Sequence, residues 1–203
     1  MYSRLLIPPA QKSFFLFGPR GTGKTTWVKS QFPKALYFDL LKAETYDYFF
    51  TNPTRIEKSI PDNFTDWIVI DEIQKVPELL NEVHRLIENK HYKFILTGSS
   101  ARKLRRGGVN LLAGRALIYN LHPLTAVELG NDFKLNECLQ FGGLPEVINA
   151  QDKQNYLNSY VQAYLQREII QEGISRNLSA FARFLETASF SQGSILNMTE
   201  VGR

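Results

Sequence analysis

Eight residues at positions 18–25, GPRGTGKT, limit what this chain can fold into more than any other stretch. They fit the pattern G-x-x-x-x-G-K-[ST], with Gly18, Gly23, Lys24 and Thr25 in the defining places. An apolar run at 13–17 leads into them, and a good helix opening at 25–31 leads out. The unit therefore reads strand, loop, helix. Its glycines let the backbone turn tightly enough for successive N–H groups to point inward, and the helix adds its positive N-terminal end. Phosphate oxygens suit that cradle. Gly18, Pro19, Arg20, Gly21, Thr22, Gly23, Lys24, Thr25 and Thr26 are its expected lining. Lys24 would neutralise β and γ phosphate oxygens, and the Thr25 hydroxyl would be a magnesium ligand. Arg20 either reaches phosphate or packs the loop edge.

A phosphate loop of this kind calls for an acidic site on a buried strand, because magnesium needs a carboxylate and an attacking water needs a base. WIVIDE supplies both. Four apolar residues carry Asp71 to the C-terminal end of a strand, 66–71, that reads as buried on both faces. Open α/β sheets place their ligands at that end. Asp71 is expected to hold magnesium, and Glu72 to polarise the water. A further strand, KFILT, runs into GSS, where Ser99, or Thr97 if the strand stops earlier, would bond the γ-phosphate or the water. Arg115, in LLAGRA, is the first choice for the cation that stabilises charge on the transferred group, with Arg102, Arg105 and Arg106 as alternatives.

Around these motifs, strands at 13–17, 35–39, 66–71, 93–97 and 116–121 alternate with helical stretches. One lies at 40–60, broken at Asn52-Pro53, and another at 77–89, where apolar residues at helical spacing follow a proline. That alternation predicts an α/β fold: a five-stranded parallel sheet with right-handed crossovers, complete by about residue 121 and sandwiched by helices. Beyond His122-Pro123 no strand is expected, and 154–172 reads as one helix, so a small helical lobe follows. The expected parts are a core at 1–122, a lid-like lobe at 123–178, and at 179–203 the helical opening of a region that ends abruptly.

With 43% hydrophobic and 22% charged residues over 203 positions, composition excludes a disordered chain. No apolar run approaches the roughly 20 residues of a membrane span. The N-terminus has no leader pattern, and the single cysteine, Cys138, has no partner for an internal disulfide; a cytoplasmic location is expected. A net charge of +4 favours polyanions only mildly. Its uneven part, Arg102, Lys103, Arg105 and Arg106, leaves nucleic acid, a neighbouring subunit's nucleotide and solvent all open as partners. His84, His91 and His122 are scattered and lack metal-ligand spacing.

These pieces together resemble the predicted AAA-type ATPases of bacteria and archaea, which carry an N-terminal AAA domain and a C-terminal domain of unknown function. The resemblance rests on GPRGTGKTT, WIVIDEIQKVPEL, ILTGSS, LLAGR, LHPLTAVEL, GGLPEVI and YVQAYLQREII, and covers nearly the whole chain from about residue 13. It implies a P-loop NTPase core of added-strand topology, in which the strand bearing WIVIDE is not adjacent to the P-loop strand. It also implies that Gly18 to Thr25 are the Walker A residues, Asp71 and Glu72 the Walker B pair, and Ser99 the sensor position. Arg115 matches the arginine of the family's LxGR segment. Such relatives often place an arginine in a neighbour's site, which makes a homo-oligomer an expected partner state. They continue into a winged-helix-like and then a nuclease-like region, of which 179–203 is expected to be the truncated winged-helix-like start.

The function expected is therefore a magnesium-dependent ATP hydrolase that couples turnover to a conformational change on an unidentified target, nucleic acid being one candidate. A nucleoside or nucleotide kinase is the alternative, but a base for water beside Asp71 is wasteful in an enzyme that must exclude water. A nucleotide-dependent DNA-binding switch without turnover rests on residues 102–106 alone. A GTPase would need an Asn-Lys-x-Asp segment, which is not present.

Overall fold

The computed structural model describes residues 2–102, 104, 112–164 and 177–190. Its strands are β1 (Phe14–Phe17), β2 (Leu36–Asp39), β3 (Trp67–Asp71), β4 (Lys93–Gly98) and β5 (Leu117–Asn120). They form one five-stranded sheet in the order β2-β3-β4-β1-β5, with every neighbouring pair parallel. β4 thus lies between the strand that feeds the GPRGTGKT loop and the strand that delivers Asp71. That is the added-strand arrangement.

Parallel strands need helices on both faces, and the sequence of the central strands requires it too, since FFLF and WIVID are buried at every position. Alternate side chains divide between the faces. On one side Phe15, Phe17, Ile68, Ile70, Phe94 and Leu96 meet Phe49 of α2 (Ala43–Thr51), Ile56 of α3 (Arg55–Lys58) and the stripe Leu79, Leu80, Val83 and Leu86 of α4 (Leu79–Lys90). On the other, Phe14, Leu16, Val69 and Ile95 pack with Trp27 and Val28 of α1 (Lys24–Gln31). The break foreseen at Asn52-Pro53 is real. Asn52 is extended at φ −154° and ψ 99°, as a residue before proline prefers, and its side chain accepts from the Thr54 N–H at 3.0 Å. Pro77 stands just ahead of α4, and His91, at φ 57°, closes it.

No strand follows β5 among the described residues. The chain continues through short helices α5 (Ala126–Leu129), α6 (Leu135–Phe141) and α7 (Pro145–Asn149), and then α8 (Lys153–Tyr164) and α9 (Leu178–Phe190). Two compact units result, Met1–Asn149 and Ala150–Arg203. Of the helix expected at 154–172, the part to Tyr164 lies in α8, and 165–172 fall outside the described residues, as do Lys103, Arg105, Arg106 and 191–203. Cys138 is half-buried on α6. No helix among the described residues is long and apolar enough to cross a membrane.

Candidate nucleotide site

The loop that leaves β1 has its shape imposed at two glycines. At Gly18 an added Cβ would collide with the carbonyl oxygen of Leu121, just past β5, so the loop's first residue lies flat against the last strand. At Gly23, the N-cap of α1, nothing crowds the missing side chain; the requirement is the backbone itself, left-handed at φ 86° and ψ 24°. Thr22 is buried and closes the loop by donating from Oγ1 to the Pro19 carbonyl at 2.8 Å. Lys24 is also buried, its Nζ donating to the carbonyls of Gly18 at 2.6 Å and Pro19 at 3.1 Å. The ammonium therefore sits inside the loop, where phosphate oxygens would lie. The first turn of α1 carries no acidic side chain and no side-chain cap, so its N–H groups face the loop without a competing anion of their own turn.

Asp71 is buried at the tip of β3, and three hydroxyls converge on its carboxylate. Thr25 Oγ1 donates to Oδ2 at 3.0 Å, Tyr37 OH donates to the same oxygen, and Thr97 Oγ1 donates to Oδ1. These hydroxyls come from α1, β2 and β4. The register explains the meeting, because Asp39 pairs with Asp71 and Ile70 with Leu96, so Thr97 comes level with Asp71. Burial, and then the bond to Asp71, push the Tyr37 phenol far above its usual range, which keeps it a donor.

After Asp71 the chain reverses. Glu72 takes a left-handed conformation, φ 62° and ψ 46°, and opens a 3₁₀ turn at Ile73–Lys75. Its N–H donates to Thr97 Oγ1 at 3.2 Å, and its carboxylate accepts from Gln74 Nε2. The same Nε2 lies 3.5 Å from the hydroxyl of Ser99, which follows β4. Lys24, Thr25, Asp71, Glu72 and Ser99 thus come from motifs far apart in sequence and gather at one end of the sheet. A hydroxyl and a carboxylate form a hard-oxygen pair fitted to magnesium, and the glycine loop with its inward lysine is fitted to phosphate.

Arg115 is not brought to this cluster. It stands two residues before β5, which begins opposite Phe14, while the loop begins after Phe17 at the other end of the same parallel strands. There its guanidinium pairs with Glu88 near the end of α4. Arg20 is exposed on the loop, and Arg102 is exposed beyond β4. Two residues of the site escaped the sequence reading. Tyr37 gave no local signal, because only the pairing of β2 with β3 sets its hydroxyl on Asp71. Gln74 did give one: it is an uncharged polar residue two positions after the acidic pair, following the apolar Ile73.

A parallel sheet in this strand order, with a glycine-lysine loop after its first strand and an acidic pair at the tip of its third, defines a P-loop nucleotide-binding protein of the added-strand type. More narrowly, the chain belongs to the AAA domain family, whose model matches residues 10–130; residues 132–203 match a family described as a domain of unknown function (DUF8612). Among solved structures the chain is similar to AMPPCP-bound DnaA from Aquifex aeolicus, at 12% identity and a TM-score of 0.38, over 94% of this chain and 67% of that one. No curated protein matches it in sequence.

Proposed function

We propose that the chain is a magnesium-dependent ATPase of the AAA type, working in the cytoplasm as a homo-oligomer on a target that nucleic acid would fit. The observation that carries the hydrolytic reading is the bond from Thr25 to Asp71, which ties the phosphate loop to β3 across the intervening β4, with Glu72 the next residue after Asp71. Bound magnesium would supply charge neutralisation at the transferred phosphate and orient its oxygens. Thr25 and Asp71 would hold that ion. Lys24 would exchange its bonds to the Gly18 and Pro19 carbonyls for phosphate oxygens, and the loop N–H groups would take the rest of the charge. Glu72 would accept a proton from the attacking water, and Ser99 would bond the γ-phosphate. Arg115, held by Glu88 at the far end of the sheet, would act in a neighbouring copy.

Phosphate release from Mg-ATP by the purified chain tests this. Lys24→Ala is expected to lose nucleotide affinity. Glu72→Gln should keep affinity and lose turnover by about 10²- to 10⁴-fold, the range of a general base. Turnover that survives in either variant sinks the assignment. A faster transfer of phosphate to an added nucleoside than to water would favour the kinase instead.

A further inference from the structure

Gln74 is buried, yet its amide is arranged for something other than packing. Nε2 donates to the Glu72 carboxylate and reaches toward the Ser99 hydroxyl at 3.5 Å, and an amide nitrogen has two hydrogens, enough for both. Its Oε1 is buried with no hydrogen-bond partner among the described residues. A buried acceptor left unmatched is unfavourable, so the side chain is held in this orientation by what its nitrogen does. The backbone opposite has been cleared for it. A Cβ on Gly98 would lie 2.5 Å from Gln74 Oε1, so the tip of β4 admits this amide only because that residue has no side chain. Glu72 contributes as well, since its left-handed backbone folds the turn back so that Gln74 lies over the strand ends.

We propose that Gln74 is a positioning residue that ties Ser99 to Glu72, holding the proposed phosphate-sensing hydroxyl and the proposed base at a fixed spacing. The inference rests on the hydrolytic reading above, since both groups it joins take their roles from that reading. In this role Gln74 would act through Glu72 and Ser99 and not on phosphate or water itself. Being neutral, it supplies donors without adding a cation that would compete with Lys24 for phosphate. Its removal should therefore leave nucleotide binding alone and disturb only the step that needs Ser99 and Glu72 together.

The test compares the full chain with Gln74→Met, which keeps the volume and removes both donors, and with Gln74→Glu, which sets a second carboxylate against Glu72. Affinity is read with a fluorescent non-hydrolysable ATP analogue and magnesium, and turnover as kcat and KM for phosphate release. In the nucleotide-free protein, a double-mutant cycle on urea midpoints pairs Gln74→Met with Glu72→Gln. Gln74→Met is expected to bind the analogue within about twofold of the parent and to lose about tenfold or more in kcat, as when a partner that orients a functional group is removed. Gln74→Glu should be slower still. The cycle should show a coupling energy, and adding Ser99→Ala to Gln74→Met should cost much less than Ser99→Ala alone. Unchanged kcat in Gln74→Met overturns the proposal and leaves hydrolysis standing. So do additive effects of Gln74 and Ser99, or an affinity that falls in step with kcat. A parent chain that releases no phosphate overturns the hydrolytic reading and this inference with it. If Gln74→Met does not fold, Gln74→Asn, one methylene short of Glu72, carries the same expectations for kcat and affinity.

Discussion

At Asp71 three hydroxyls serve one carboxylate, and each can be removed singly. Tyr37→Phe takes away one donor without changing the ring, and a hydrogen bond to a charged group is worth about 1.5–3 kcal/mol, so the unfolding free energy from urea titration should fall by an amount in or below that range. The same variant should raise the magnesium concentration needed for half-maximal nucleotide binding, because Asp71 is then held less firmly. Gly98→Ala is the sharper probe. Its methyl group needs the space that Gln74 Oε1 occupies, and because that atom is the far end of a side chain the amide can swing aside at little cost in stability; kcat should drop while Lys24 and the loop still bind nucleotide. Much of this site was legible as residue types. Lys24, Thr25, Asp71 and Glu72 announce themselves because their chemistry depends on local spacing. Tyr37 did not, because its role depends on which strand lies next to which, and no local pattern in ALYFD encodes that. Arg115 is expected beside the transferred group from its place in LLAGRA before the last strand and its match to the family's LxGR arginine. The register of β5 against β1 puts it at the opposite end.

Among the elements, α5 shows how a four-residue helix is made to persist. Thr125 accepts from the Glu128 N–H at 3.3 Å while the Glu128 carboxylate accepts from the Thr125 N–H at 2.9 Å, a complete capping box. The same carboxylate accepts from the Leu5 N–H at 2.9 Å and pairs with Arg4 at 3.3 Å, so it also fastens the N-terminal segment. Thr125→Ala should cost about 1 kcal/mol, read by thermal or urea unfolding. Burial alone would raise the Glu128 pKa, but the N–H groups of Thr125 and Leu5, with Arg4, outweigh it and hold the group below its ordinary value. The folded value being depressed, the stability it confers is present above the unfolded value of about 4.3 and is lost as pH falls through the lower folded one. Hydrogen exchange at the Leu5 amide, followed from neutral pH into that acid range, should accelerate beyond the intrinsic rate there, and in Glu128→Gln it should already be fast at neutral pH. The longer elements were read well from sequence, because an apolar run or a helical stripe repeats over many residues. α5 to α7 are four to seven residues each, too short for periodicity to build up, and only the Thr-x-x-Glu spacing of α5 could have been seen.

For the molecule as a whole, strand order decides which residues can cooperate. Inserting β4 between β1 and β3 gives the site a floor, so Thr97 bonds Asp71 from it and Ser99 lies just past its end. The parallel run of β5 beside β1 leaves Arg115, two residues before β5 begins, at the end of the sheet opposite its own loop, which makes a complementation experiment decisive. Lys24→Ala and Arg115→Ala chains, each inactive alone, should regain part of their turnover when mixed, and sedimentation should show assembly that depends on nucleotide; no recovery on mixing would remove Arg115 from the mechanism.

Leu121 has a hold on both sides of the loop's hinge. Its N–H donates to the Phe17 carbonyl at 2.7 Å, and its own carbonyl lies where a Gly18 side chain would be. The phosphate cradle is thereby clamped to the last strand at its first residue and cannot swing toward that edge unless β5 tilts with it. Mechanical load runs both ways through such a clamp: a push on β5 from outside reaches the loop across a single peptide unit, and a loop that tightens around an anion pulls on the point where the chain leaves the sheet.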